Sequence, residues 1–290
     1  MAVVLVVVGS AVAGAIIAGS MAWFLPNFDP ASPRAAPRAI RREVRAHAGL
    51  AAFLRSRVNP ATATDLALTL ALALVLGGAV AIGALLVMVQ HNAGLAHLDL
   101  RAARWGSTHA TSGSTQFLRN VSQLGGTPAM IAVAVIAAAA EYARTRTRAI
   151  FGFLTVVVLG QVVVTNVTKV LVDRSRPNIH RLTGFSGASF PSGHAATAAA
   201  TFAAVALLMG RGRSRRVQAL LAAVASGIAF GVATTRVLLG VHWLTDVIAG
   251  VAIGWAWFAL ASIAFGGRVL VFGRPVEVAA EAAHAVDGVE

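Results

Sequence analysis

Apolar residues run along this chain in long blocks separated by short polar gaps. Seven blocks predict membrane-crossing helices: 2–25, 64–89, 127–143, 149–170, 194–210, 217–237 and 244–265. A spanning helix needs about 20 mostly apolar residues. The third block is short, and only Arg144-Thr145-Arg146-Thr147-Arg148 separates it from the fourth. Segment 91–126 is too polar to span. It mixes Trp105 and Phe117 with Gly, Ser and Thr, which predicts short helices at the membrane interface, where tryptophan partitions. The pattern as a whole predicts an all-α, polytopic membrane protein.

The block at the N-terminus lacks a positive n-region, and its apolar stretch exceeds a usual signal-peptide core, so residues 1–25 read as a retained N-terminal transmembrane helix. Residues 26–63 read as a cytoplasmic linker rich in proline and arginine. Within it, 37–57 fits either a basic amphipathic helix on the membrane surface or a disordered basic stretch. The short tail 266–290 is partly acidic and reads as solvated, on the cytoplasmic side.

Composition supports the bilayer. The chain is 57% hydrophobic and 12% charged, against about half apolar and about a quarter charged in an ordinary soluble domain. It has no cysteine, which excludes disulfides and thiolate metal sites. The net charge of +13 raises the question of nucleic acid. No basic patch with interleaved aromatics occurs, however, and most arginines flank apolar blocks, so no nucleic-acid partner is expected. Gaps 26–63, 144–148, 211–216 and 266–290 hold sixteen of the 24 basic residues; 90–126, 169–193 and 236–243 hold eight. The positive-inside rule makes the first set cytoplasmic. Five of the eight outer charges are Lys169, Arg174, Arg176, Arg181 and Arg236, and Lys169 is the only lysine in the chain.

Three segments on that outer side carry candidate chemistry. The first is Lys169 to Arg176-Pro177. Its two cations are seven residues apart and share a face if the helix persists, and Pro177 disfavours helix at Arg176. An ammonium and a guanidinium together suit a dianion. The second is Pro191-Ser192-Gly193-His194. Ser192 is a favoured N-cap, the free N–H groups of a helix start attract an anion, and Gly193 admits a ligand close to the backbone. The third joins two spans through Arg236, Gly240, His242 and Asp246. Four-residue spacing lets the carboxylate hold one imidazole nitrogen and leaves the other as a nucleophile. Cations, a helix start, two histidines and an orienting carboxylate suffice for phosphoryl transfer without a metal or other cofactor. Asp173, Arg174, His180 and Arg181 read as loop residues of lesser weight. His91, His97 and His109 read as interfacial, and Met88, Met130 and Met209 as helix packing.

Lys-x6-Arg-Pro, Pro-Ser-Gly-His and Arg-x5-His-x3-Asp resemble the three signatures of the type 2 phosphatidic acid phosphatase (PAP2) superfamily. The resemblance covers 64–265 and implies a six-helix core, with helix 2–25 as an addition. It implies His242 as nucleophile, Asp246 orienting it and His194 as general acid. Lys169, Arg176, Arg236, Ser192 and Gly193 would hold the phosphate. Thr235-Arg236 stands where the third signature often begins Ser-Arg. The expected substrate is a lipid phosphate or diphosphate in the cell membrane, met on the extracytoplasmic face. Undecaprenyl diphosphate is the first choice. Phosphatidylglycerophosphate, phosphatidate and a lipid phosphotransferase reaction with the same site are the alternatives.

Overall fold

The computed structural model describes residues 1–24, 77, 79–80 and 82–269. Most of the predicted span 64–89, the linker 26–63 with its segment 37–57, and tail residues 270–290 lie outside the described residues. Among those described, all regular structure is helical. The main helices are α1 (Ala2–Phe24), α2 (Asp99–His109), α3 (Ser112–Gln123), α4 (Thr127–Thr145), α5 (Ala149–Val172), α6 (Gly193–Gly210), α7 (Arg215–Leu238) and α8 (Leu244–Val269). Residues 82–90 are also helical, and Gly94–Leu98 forms a 3-10 turn before α2.

Six described helices are long and apolar enough to cross a membrane: α1, α4, α5, α6, α7 and α8. They correspond to six of the seven blocks read from the sequence. The intervening 91–126 forms the expected short helices. Large apolar side chains point outward from the bundle, as Val163, Val167 and Val170 do on α5. In water such a surface would be an aggregation hazard; in lipid it is the solvated face. This is a multi-pass membrane protein.

α6 is the centre of the bundle and touches α4, α5, α7 and α8. Its sequence explains why. Ala195, Ala196, Ala198, Ala199, Ala200 and Ala204 are all buried, and small side chains let backbones approach closely where lipid supplies no hydrophobic drive. α8 meets it with glycines. A Cβ on Gly250 would lie 2.6 Å from the Ser192 carbonyl oxygen, and one on Gly254 2.3 Å from that of Ala196.

α1 lies antiparallel along α7. Ser10 accepts a hydrogen bond from Thr234 at 2.8 Å, and further down α1 Gly19 faces Ala223. At its N-terminal end Val3 and Val7 are buried with Leu118, Leu238, Leu239 and Val241. This added helix therefore backs the turn that leads into His242.

Candidate active site

Four helix ends meet at one end of the bundle: the C-termini of α5 and α7 and the N-termini of α6 and α8. α5 stops at Val172 because Asp173 turns left-handed (φ 41°), its N–H bonding to the Lys169 carbonyl at 2.9 Å. Aspartate tolerates that conformation better than most residues. The helix thus ends four residues before Arg176, earlier than a shared helical face for Lys169 and Arg176 would require. The two cations converge nonetheless. Lys169 Nζ donates to the Ala188 carbonyl at 2.5 Å and Arg176 Nη2 donates to the same oxygen at 3.1 Å. Arg176 also donates to the carbonyls of Ser186, Gly187 and Val241. Burial pulls its guanidinium below the ordinary value, against the opposing effect of Asp246.

Ser192 occupies the N-cap position of α6, but its side chain makes no cap bond. Its hydroxyl is buried and has no hydrogen-bond partner among the described residues. Its backbone N–H goes to the Asp246 carbonyl at 3.0 Å. The expected cap is therefore not made, and the hydroxyl stays uncommitted at the helix start. A Cβ on Gly193 would meet only Thr165 Cγ2, at 3.5 Å, so this backbone is open to close approach. His194 sits in the first turn, beside Gly126 and within electrostatic reach of Arg236, His242, Arg176 and Lys169.

Arg236 is 6% exposed near the end of α7. One Nη donates to Ser122 Oγ at 2.7 Å, while Nε is buried without a partner among the described residues. After α7 the chain reverses at Gly240, whose φ of +73° favours glycine. His242 lies in this turn and not on the next helix, which begins at Leu244. Asp246 is then the third residue of α8. Its Oδ2 accepts the Trp243 N–H at 3.0 Å, which is half of a capping box reaching back over the helix start. The same oxygen faces His242 Nδ1 at 3.4 Å and accepts the Ser189 hydroxyl. His242 Nε2, on the far side of the ring, lies 3.2 Å from an Arg176 Nη. The net effect on His242 is a pKa lowered to about 4, with burial as the main force. Asp246 opposes the lowering, and Arg176 and Arg236 add to it.

The structure thus brings Lys169, Arg176, Ser192, Gly193, His194, Arg236, His242 and Asp246 to one end of the bundle. Sequence reasoning gave Arg174 little weight, yet it binds Asp246 Oδ1 at 2.6 Å and Asp99 Oδ2 at 2.8 Å. It overlooked Asp99, Ser122, Ser189 and Thr245. Asp99 is the one that had a signal: an acid at the start of an interfacial helix in a chain with few acids. The hydroxyls had none, because their partners lie far away in sequence. Asp173 and His180 are exposed. Arg181 bonds the Pro177 carbonyl and stacks on Phe185. His109 stacks on Trp105, and Met130 is fully buried. Among the described residues no group of three or more His, Cys, Asp or Glu could hold a metal ion.

Comparison with known proteins agrees on one family. The PAP2 superfamily model matches residues 149–269. The chain is 40% identical over 131 residues to a lipid A 1-phosphatase of Rhizobium johnstonii, covering 41% of this chain and 49% of that protein. It is 42% identical over 118 residues to the Rhizobium etli enzyme of the same name, covering 37% and 46%. The match thus spans about half the length of these two relatives. Phosphatidylglycerophosphatase B of Bacillus subtilis is 30% identical over 151 residues, covering 50% of this chain and 72% of that protein. The crystal structure of a transmembrane PAP2-type phosphatidylglycerolphosphate phosphatase from Bacillus subtilis shares the fold, with a TM-score of 0.60 at 24% identity, covering 66% of this chain and 94% of that one. The chain belongs to the PAP2 superfamily.

Proposed function

We propose that this chain is a lipid phosphatase that works through a phosphohistidine at His242, on the extracytoplasmic face. The observation that carries the reading is a pair of uncommitted groups at the meeting of the helix ends. Ser192 Oγ and Arg236 Nε are both buried and without a partner among the described residues. A buried polar atom left unsatisfied costs about 1–3 kcal/mol. A phosphoryl group seated between the start of α6 and Arg236 relieves both.

In this reading Arg176, Arg236, Lys169, Ser192 Oγ and the N–H groups of Gly193 and His194 hold the nonbridging oxygens. The lone pair on His242 Nε2 forms a bond to phosphorus while the P–O bond to the lipid breaks. The departing oxygen keeps its electron pair and takes a proton from His194. Water then attacks phosphorus, giving its proton to His194, and the N–P bond breaks with its pair returning to His242. Asp246 holds Nδ1–H and offsets the positive charge that the ring acquires. No step calls for a metal, so a chelator is expected to leave turnover unchanged and vanadate to inhibit it.

Undecaprenyl diphosphate remains the first choice of substrate, on the ground that an outward site meets the carrier where its diphosphate is exposed. A second reading has a specific observation behind it. Identity to the two lipid A 1-phosphatases is about 40% across a segment as long as the site-bearing half. Phosphatidylglycerophosphate, phosphatidate and transfer to an acceptor other than water complete the set. The test is a panel of these lipids with purified protein and free phosphate as readout, beside His242→Ala. Loss of at least a thousandfold in the variant, with trapped phosphoprotein only in the parent, is expected. Full turnover by His242→Ala would overturn the nucleophile assignment. Lipid consumed without free phosphate would point to the phosphotransferase.

A further inference from the structure

Asp99, Thr245 and Arg174 form a buried polar unit that the phosphate site itself does not use. Asp99 is the first residue of α2 and is 3% exposed. Its Oδ1 accepts the backbone N–H of Thr245 at 2.8 Å, and its Oδ2 accepts the Thr245 hydroxyl at 2.7 Å. Arg174 fills the remaining geometry. One Nη donates to Asp99 Oδ2 at 2.8 Å; the other donates to Asp246 Oδ1 at 2.6 Å and to Thr245 Oγ1 at 2.8 Å. Its guanidinium lies over the Trp243 ring, 5.2 Å from the centroid. Every contact is directed, and both carboxylates are nearly or fully excluded from solvent.

Taking two carboxylates and a guanidinium out of water is costly, and well-packed apolar residues would serve stability as well or better. The arrangement has an electrostatic result that apolar residues lack. Arg174 alone would cancel the charge of Asp246. With Asp99 behind it, the three groups sum to one net negative charge, adjacent to His242. Arg174 also occupies Asp246 Oδ1. That leaves Oδ2 for Ser189, the Trp243 N–H and His242 Nδ1, and it fixes the plane of the carboxylate.

We propose that Asp99 and Arg174 are positioning residues for the phosphoryl-transfer step. They lock the Asp246 carboxylate and preserve a net negative charge that offsets the cation developing on His242. This rests on the phosphohistidine reading given above. The pair ties the interfacial helix α2 to the start of α8, so the membrane-surface layer, and not the bundle alone, sets the reactivity of the nucleophile.

The experiment is single-turnover phosphorylation of the full-length protein in detergent, with the competitive inhibition constant of inorganic phosphate measured on the same samples. Asp99→Asn is expected to slow phosphoenzyme formation at least tenfold while leaving phosphate binding within twofold. Arg174→Gln should also slow it, because the Asp246 carboxylate then loses its fixed plane although the net charge beside His242 becomes more negative. The double variant should be no slower than Arg174→Gln alone, because with Arg174 gone the loss of Asp99 no longer leaves Asp246 cancelled. A merely structural role would weaken phosphate binding in step with the rate, and that result overturns the proposal. So does a rate within twofold of the parent. If Asp99→Asn fails to fold, Arg174→Lys carries the same test: it keeps the charge but lacks the fork that bridges both carboxylates, so a rate within twofold is again fatal. Absence of phosphoenzyme in the parent chain would instead overturn the phosphohistidine reading, so the two failures are distinguishable.

Discussion

His242 is 2% exposed and sits between a carboxylate and two guanidinium groups. Burial dominates that balance and lowers its pKa from 6.5 to about 4. The imidazole is therefore neutral, as a nucleophile must be, throughout the range in which an ordinary histidine titrates. The effect on stability has the opposite sense. Between pH 6.5 and about 4 the unfolded chain binds a proton at this residue and the folded chain does not, so acidification through that window favours unfolding. Ring-nitrogen NMR on histidine-labelled protein, with the His242 signal assigned by its loss in His242→Gln, should show that imidazole still neutral at pH 5.5; a midpoint near 6.5 for that ring would refute it. At this scale local spacing made two groups of site residues legible in the sequence. His242 and Asp246 are four apart, and Ser192 to His194 are contiguous. Asp99 escaped notice and Arg174 was given little weight because 75 residues separate them, and no local spacing encodes that pair. The burial that depresses His242 is equally absent from any motif.

Between elements, the closeness of α6 and α8 decides where Ser192 sits. Gly250 faces the Ser192 carbonyl, and an added Cβ would also stand 3.2 Å from Ala195 Cβ. Backbone does not yield as a flexible side chain does, so α6 has to shift. Overpacking of this kind costs about 1–3 kcal/mol. Gly250→Ala should thus lower the midpoint of thermal unfolding in detergent and reduce turnover, since the start of α6 moves with Ser192. Gly113→Ala is the control, because nothing lies within 4 Å of its would-be Cβ. Equal activity in the two variants would show that the crossing has slack. Helix positions were legible because hydropathy alone specifies a span. Their ends were less so. Asp173 halts α5 four residues short of Arg176, and His242 falls in a turn held by contacts distant in sequence such as Leu182 N–H on the Leu239 carbonyl.

Across the whole molecule, helix direction separates the charges. Arg144 and Arg211 meet at one end of the bundle, where an Nη of the first reaches the carbonyl of the second at 3.4 Å. Lys169, Arg176, Arg236 and His242 lie at the other. The antiparallel course of α1 along α7 puts residue 2 at the site end and residue 24 at the arginine-rich end, with Arg144, Arg146 and Arg148. On the positive-inside rule this polarity favours the outward site proposed above. Because the chain has no cysteine, single introduced cysteines report topology without background. Ser186 and Ser214 are both exposed, the first in the loop beside Arg176 and the second just before α7. A membrane-impermeant maleimide applied to intact cells should label Ser186→Cys and leave Ser214→Cys unlabelled until the membrane is permeabilised. The reverse pattern would place the site in the cytoplasm. It would also remove the reason for ranking undecaprenyl diphosphate first, because that ranking depends on the face and on no residue of the site.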